Sequence, residues 1–115
     1  MKKEGQCVKI ETTFASSEDA VKMAKLLIDS KFIACANISE ITSIYEWKQK
    51  LEKTAEWLLG IKTCDTLVQK CVEMIKQNHP YELPMITWRV LDTTQDYANW
   101  VNESILMCKK GGKNT

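Results

Sequence analysis

The stretch QNHPYELP at residues 77–84 holds the single histidine and both prolines of a 115-residue chain. Neutral imidazole suits zinc or copper, although one histidine supplies only a fraction of a metal site. In the last turn of a helix the same ring interacts favourably with the negative dipole end and can cap free carbonyls. His79 therefore has two readings, a metal contact or a helix-end residue, and the residues alone leave both open. The five cysteines stand far apart, at 7, 35, 64, 71 and 108. No C-x-x-C pair occurs among them, and Cys64 and Cys71 share a helix face only roughly. Cys71 falls on an apolar stripe and Cys35 between two alanines, so each is expected to act as a small buried hydrophobe. Catalysis has less to work with. No nucleophile elbow, H-E-x-x-H or Gly-rich phosphate loop is present, and Glu46, Glu52 and Glu56 read as solvated carboxylates. The expectation is a non-enzymatic protein.

A different signal comes from the large rings. Tyr45 and Trp47 lie at i and i+2 near the end of one extended run, and Trp57 lies on the next. Strands of that length exceed what a small sheet needs, so a projecting hairpin is expected to hide its edges and rings against other copies of the chain. Tyr45, Trp47 and Trp57 are the interface candidates.

These residues need elements to position them. CVKIETTF at 7–14 alternates as a strand. The helix that follows has Ser16 or Ser17 as cap, Glu18 and Asp19 in its first turn, and Ala20, Ala24, Leu27 and Ile28 on one face. Residues 34–48 and 54–63 form a long hairpin across the polar link QKLEK, with Gly60 marking a bulge or a close backbone approach. A second helix starts near Asp65, with Thr63 or Asp65 as cap, carries Leu67, Cys71, Met74 and Ile75, and stops at Pro80. LPMITWRVL is the fourth strand. The last helix, capped by Thr93 or Thr94, carries Tyr97, Trp100, Val101 and Ile105. The fold class is α+β, a ferredoxin-like split βαβ sandwich with a long β2–β3 hairpin and an extra C-terminal helix.

Composition bounds the rest. A content of 44% hydrophobic and 27% charged residues with net charge +1 describes a single domain over 1–115, with an ordered core at about 7–106 and a basic tail at 109–115. It carries no electrostatic footprint for nucleic acid. No run is long and apolar enough for a bilayer, and no signal peptide is evident. An odd number of cysteines argues against a disulfide framework, which places the chain in the cytoplasm with reduced thiols.

ACANISEITSIYEWKQKLE, then LLGIKT, HPYELP and YANWVNESI, together resemble the CutA divalent-cation tolerance family from about residue 7 to 106. The resemblance implies a ferredoxin-like subunit in a tight homotrimer whose hairpins join neighbouring sheets. It also implies tolerance to copper and other divalent ions, with copper binding in some members and no enzymatic activity. Of the ligand positions ascribed to those members, one falls on His79, a second on Asn78 and a third on Thr12. Asn78 and Thr12 offer hard donors that copper does not select. Gln49 replaces a familiar glycine before Lys50, Met85 stands where a glutamate is common, and the segment between Asn37 and Thr42 is one residue short. His79 is carried forward as a metal contact, with Lys50 and Tyr81 as linings of an inter-subunit cleft. Two rivals are a trimeric small-molecule sensor resembling nitrogen-regulatory signal proteins and a scaffold without a ligand.

Overall fold

The alternation of CVKIETTF makes β1, Cys7–Phe14. Successive side chains of a strand leave opposite faces, so Val8, Ile10, Thr12 and Phe14 share one face and Cys7, Lys9, Glu11 and Thr13 the other. A computed structural model of the chain describes residues 6–105. The expected basic tail and Cys108 lie outside them. Helix α1, Ser17–Asp29, begins where the Ser16 hydroxyl accepts from the Asp19 amide at 3.1 Å. It ends with Lys31 at φ 63°, while the amides of Lys31 and Phe32 donate to the carbonyls of Ile28 and Leu27. That is a Schellman closure with lysine in the left-handed position usually given to glycine. Ala20, Ala24 and Leu27 are buried as expected, but Met23 replaces Ile28, which is exposed. At 100° per residue, Ile28 lies at the margin of the stripe while Met23 lies within it.

Strands β2, Cys35–Trp47, and β3, Lys50–Cys64, form the hairpin. Only Lys48 and Gln49 separate them, at φ 52° and 68°, and Trp47 pairs with Lys50. The expected five-residue link is thus a two-residue turn of the primed type, and β3 starts four residues earlier than its expected position. Gly60 stays in unbroken register with Glu11 and Asn37, so it marks no bulge. It marks a close approach instead, since a Cβ there would stand 3.1 Å from the Lys9 Cε.

After β3 comes a short 3-10 turn, Asp65–Leu67, and then α2, Val68–Asn78; neither start carries a side-chain cap bond. Strand β4 is confined to Thr87–Val90, shorter than LPMITWRVL because only these residues find partners on β1. Helix α3, Gln95–Ser104, is capped by the Thr94 hydroxyl. Every pairing is antiparallel, in the order β2-β3-β1-β4, with α1 and α2 as the crossovers.

Two cores follow from strand parity. Val8, Ile10 and Phe14 with Leu59 and Ile61 meet the buried faces of α1 and α2, including Met23, Leu27, Cys71 and Ile75. On the opposite face, at the sheet end, Cys7 and Cys64 meet Leu67, Val101 and Ile105. Helix α3 thus covers part of the second face. Cys7, Cys35 and Cys71 are free thiols, and burial pushes the Cys71 thiol up to about 12. Cys64, however, is disulfide-bonded, which corrects the expectation of fully reduced thiols. An odd total forbids only complete pairing, not a bridge.

Candidate functional site

Pro80 forces the residue before it out of the α region. His79 accordingly stands at φ −81°, ψ 135°, as the C-cap of α2. That turn swings its ring over the end of β1, where it stacks on Phe14 at 4.3 Å between centroids, 9° from parallel. Both ring nitrogens are occupied. The Tyr81 amide donates to Nδ1 at 3.1 Å. The Thr13 carbonyl lies 2.9 Å from Nε2 and the Thr12 hydroxyl 3.1 Å. An amide only donates and a carbonyl only accepts, so the ring is neutral with its proton on Nε2. Burial holds its pKa below the ordinary 6.5, against the raising effects of the Thr13 carbonyl, Asp19 and Glu56.

Tyr81 tilts against this ring, with centroids 5.0 Å apart, and donates its hydroxyl to Glu56 Oε2 at 2.6 Å. Ser43 donates to the other oxygen at 2.7 Å. Burial alone would raise the Glu56 carboxyl, but hydroxyls from Ser43, Tyr81 and Thr13 and the attraction of His79 outweigh it, so the pKa is lowered. The Tyr81 phenol is pushed up by burial and by its bond to the carboxylate. The result is a hydrogen-bonded chain from the end of α2, past the end of β1, to the base of the hairpin.

Glu56 is the residue that sequence reasoning set aside. It read as one of three surface carboxylates, whereas the β2–β3 register places Ser43 and the β1–β3 register places Thr13 beside it. No local pattern carries that information.

The other expected residues divide. Lys50 pairs with Trp47 at the hairpin tip, six residues along β3 from Glu56 and so roughly 20 Å away. One chain does not bring it to Tyr81. Tyr45 and Trp47 are exposed on the face shared by Ser43 and Glu56. Trp57 points the other way and packs, half-buried, against the main core beside Phe14. The three rings do not form one surface.

For a metal, the donor set is poor. Thr12, a position the family resemblance pointed to, does meet His79, but Asn78 turns back to donate to the Met74 carbonyl at 2.9 Å. Among the described residues no cluster of three His, Cys, Asp or Glu side chains could hold an ion. A copper ion at Nε2 would have to displace a proton held by a carbonyl, with only hydroxyl oxygen nearby. These residues do not fit a closed copper site.

The model of the CutA1 divalent ion tolerance protein family matches residues 8–104. The chain belongs to that family. The divalent-cation tolerance protein CutA of Thermotoga maritima is 35% identical over 98 residues, covering 84% of this chain and 97% of that one. Its counterpart in Pyrococcus horikoshii is 38% identical over 95 residues, 82% and 93% of the two chains. In three dimensions the crystal structure of CutA1 from Ehrlichia chaffeensis superposes with a TM-score of 0.84 at 33% identity, covering 87% of this chain and 95% of that one. The antiparallel four-stranded sheet and three helices described above match those CutA1 structures. The segment matched by the CutA1 family spans every element from β1 to α3, and thus the whole His79–Tyr81–Glu56 chain of bonds.

Proposed function

We propose that this CutA1 family member acts, without catalysis, in tolerance of divalent metal ions, as a homotrimer of ferredoxin-like subunits. The observation that carries the assembly is the hairpin. β1 stops opposite Trp57, so residues 41–56 extend beyond the other strands with Ile44, Tyr45, Trp47 and Leu51 exposed. Two long strands with unpaired edges and exposed rings are what a neighbouring sheet would cover. Assembly would also bring a neighbour's Lys50 towards Tyr81, forming a cleft that no single chain has.

Copper or another divalent ion would be held weakly. His79 contributes one imidazole whose nitrogens already have partners, and any further donors must come across a subunit boundary. A cytoplasmic location belongs to this reading on the strength of three free thiols, with the disulfide-bonded Cys64 counting against it; no described helix is long and apolar enough to cross a membrane.

The test is titration of the protein with Cu(I), Cu(II) and Zn(II) beside His79→Ala, with light-scattering mass in the same buffers. Saturable binding per trimer that His79→Ala abolishes is the expected result for a metal contact. Equal binding in both proteins removes His79 from the site, and a monomer removes the assembly. The sensor reading draws on the ordered polar corner around Glu56, which suits recognition of a polar metabolite better than a soft ion. Thermal stabilisation by a metabolite and by no metal would favour it.

A further inference from the structure

Where the first turns of α1 meet the end of α2, the surface opens into a hollow of about 190 Å³ that neither the bonds of His79 nor the hairpin uses. Its wall is apolar, made by Phe14, Met23, Leu26 and Pro80. Phe14 and Met23 are buried members of the main core, while Leu26 and Pro80 are exposed. The hollow therefore runs from solvent down to core side chains. Drug-sized ligands need about 300–1,000 Å³, so this space admits only a smaller molecule.

Three polar residues complete the lining: Asp19, Lys22 and Asn78. Asp19 and Lys22 are three residues apart on α1, a spacing that puts opposite charges within reach of each other. They do not meet. Among the described residues neither side chain has an ion pair or a hydrogen bond. Asp19 is partly buried, and its charge acts on both His79 and Tyr81, which places it towards the α2 side of the hollow. Lys22 is exposed. Asn78 donates its amide nitrogen to the Met74 carbonyl, which leaves its Oδ1 to accept. The hollow thus holds a carboxylate and an amide oxygen, both acceptors, together with one ammonium donor. A carboxylate beside apolar walls loses hydration and is stabilised by a partner that supplies charged donors.

We propose that this hollow binds a small zwitterion, a free α-amino acid with an apolar side chain. Its ammonium group donates to the Asp19 carboxylate and to Asn78 Oδ1, and its carboxylate accepts from Lys22 Nζ. Its side chain covers Phe14, Met23 and Leu26. The charges of the site select against simpler ligands. An anion without an ammonium group would face Asp19, and an amine without a carboxylate would leave Lys22 unused. An inorganic cation would find one carboxylate and one amide oxygen, far short of the six to eight oxygens that calcium takes. The site depends neither on metal tolerance nor on assembly, and it leaves the bonds of the His79 ring untouched.

The test is calorimetric titration of the full chain with L-leucine in metal-free buffer. Three analogues run beside it: isoamylamine lacks the carboxylate, isocaproate lacks the ammonium group, and glycine lacks the side chain. Saturable binding of L-leucine is expected, about tenfold tighter than any of the three. Asp19→Asn should weaken it about tenfold and Lys22→Gln by less, because Lys22 is exposed. Lys25→Gln, which removes a neighbouring exposed cation of α1 outside this lining, should change nothing. Thermal melting checks that each variant folds. Absence of saturable binding overturns the proposal. So does isoamylamine binding as tightly as L-leucine, which would make the hollow a site for amines alone. An equal loss in Lys25→Gln also overturns it, because the effect would then belong to the general field of the helix.

Discussion

His79 gains nothing from protonation in the folded chain, because a second ring proton would push against the Tyr81 amide that Nδ1 now accepts. Its folded pKa lies below the ordinary 6.5, so the unfolded chain binds that proton more readily. The stability it contributes is complete above pH 6.5 and is lost as pH falls from there towards the folded pKa. Glu56 is depressed below 4.5, and its contribution, present above that value, is lost as pH falls through its folded pKa. Both act in the same direction, so the melting temperature should drop on acidification from pH 7 towards pH 4. As the chain has one histidine, its ring-proton resonance can be followed without assignment ambiguity. The midpoint should lie below 6.5, and Glu56→Gln should lower it further by removing a charge that favours the imidazolium. An unchanged midpoint in Glu56→Gln would mean the two groups are not coupled. Tyr81→Phe removes a hydrogen bond to a carboxylate and should cost about 1–2 kcal/mol in urea unfolding, discounted for partial exposure. The histidine and its proline were legible from the sequence, and Thr12 was named beside them only through the family resemblance; Thr13, Phe14 and Glu56 were not legible, because strand register alone brings them there.

Elements were readable where local chemistry agrees with the long-range fold. Strand β1 matches its expected limits and helix α1 its expected start, because alternation and the Ser16 cap both act within a few residues. The hairpin turn was misread because Lys48 and Gln49 adopt positive φ without the glycine or asparagine that announces it. Left-handed backbone costs a non-glycine residue about 1–2 kcal/mol, against a Gly entropic penalty of about 0.5–1. Gln49→Gly should therefore raise unfolding stability by about 0.5–1 kcal/mol, and Lys31→Gly, at the end of α1, by a similar amount. Denaturant midpoints with unchanged slopes would check both, and a loss of stability in either would mean the side chain has a role that its backbone angle does not reveal. Strand β4 was overextended because an apolar run signals burial, while pairing depends on which β1 residues lie alongside. Trp57 shows the same limit: its separation from Trp47 says nothing of faces until the turn length sets the parity.

As a whole the chain is drawn out, measuring 53 × 25 × 20 Å with a Cα radius of gyration of 15.5 Å, against about 13 Å for a compact chain of 100 residues. The hairpin accounts for that excess, and on the trimer proposal it is the part that disappears into neighbours. Light scattering should return three times the 13.2 kDa chain mass, falling to a single chain when Tyr45 and Trp47 are both changed to Lys. A wild-type monomer would contradict the assembly. The opposite end of the molecule is held differently. Within α3 only Val101 is fully buried, and it rests on a cluster separate from the one that binds α1 and α2 to the sheet. A helix anchored so lightly can detach while the sheet stays intact, as an independent cooperative unit with its own small free energy. In deuterated water its amides should exchange well before those of β1 and the paired half of β3, and each such excursion would uncover the sulfurs beneath it.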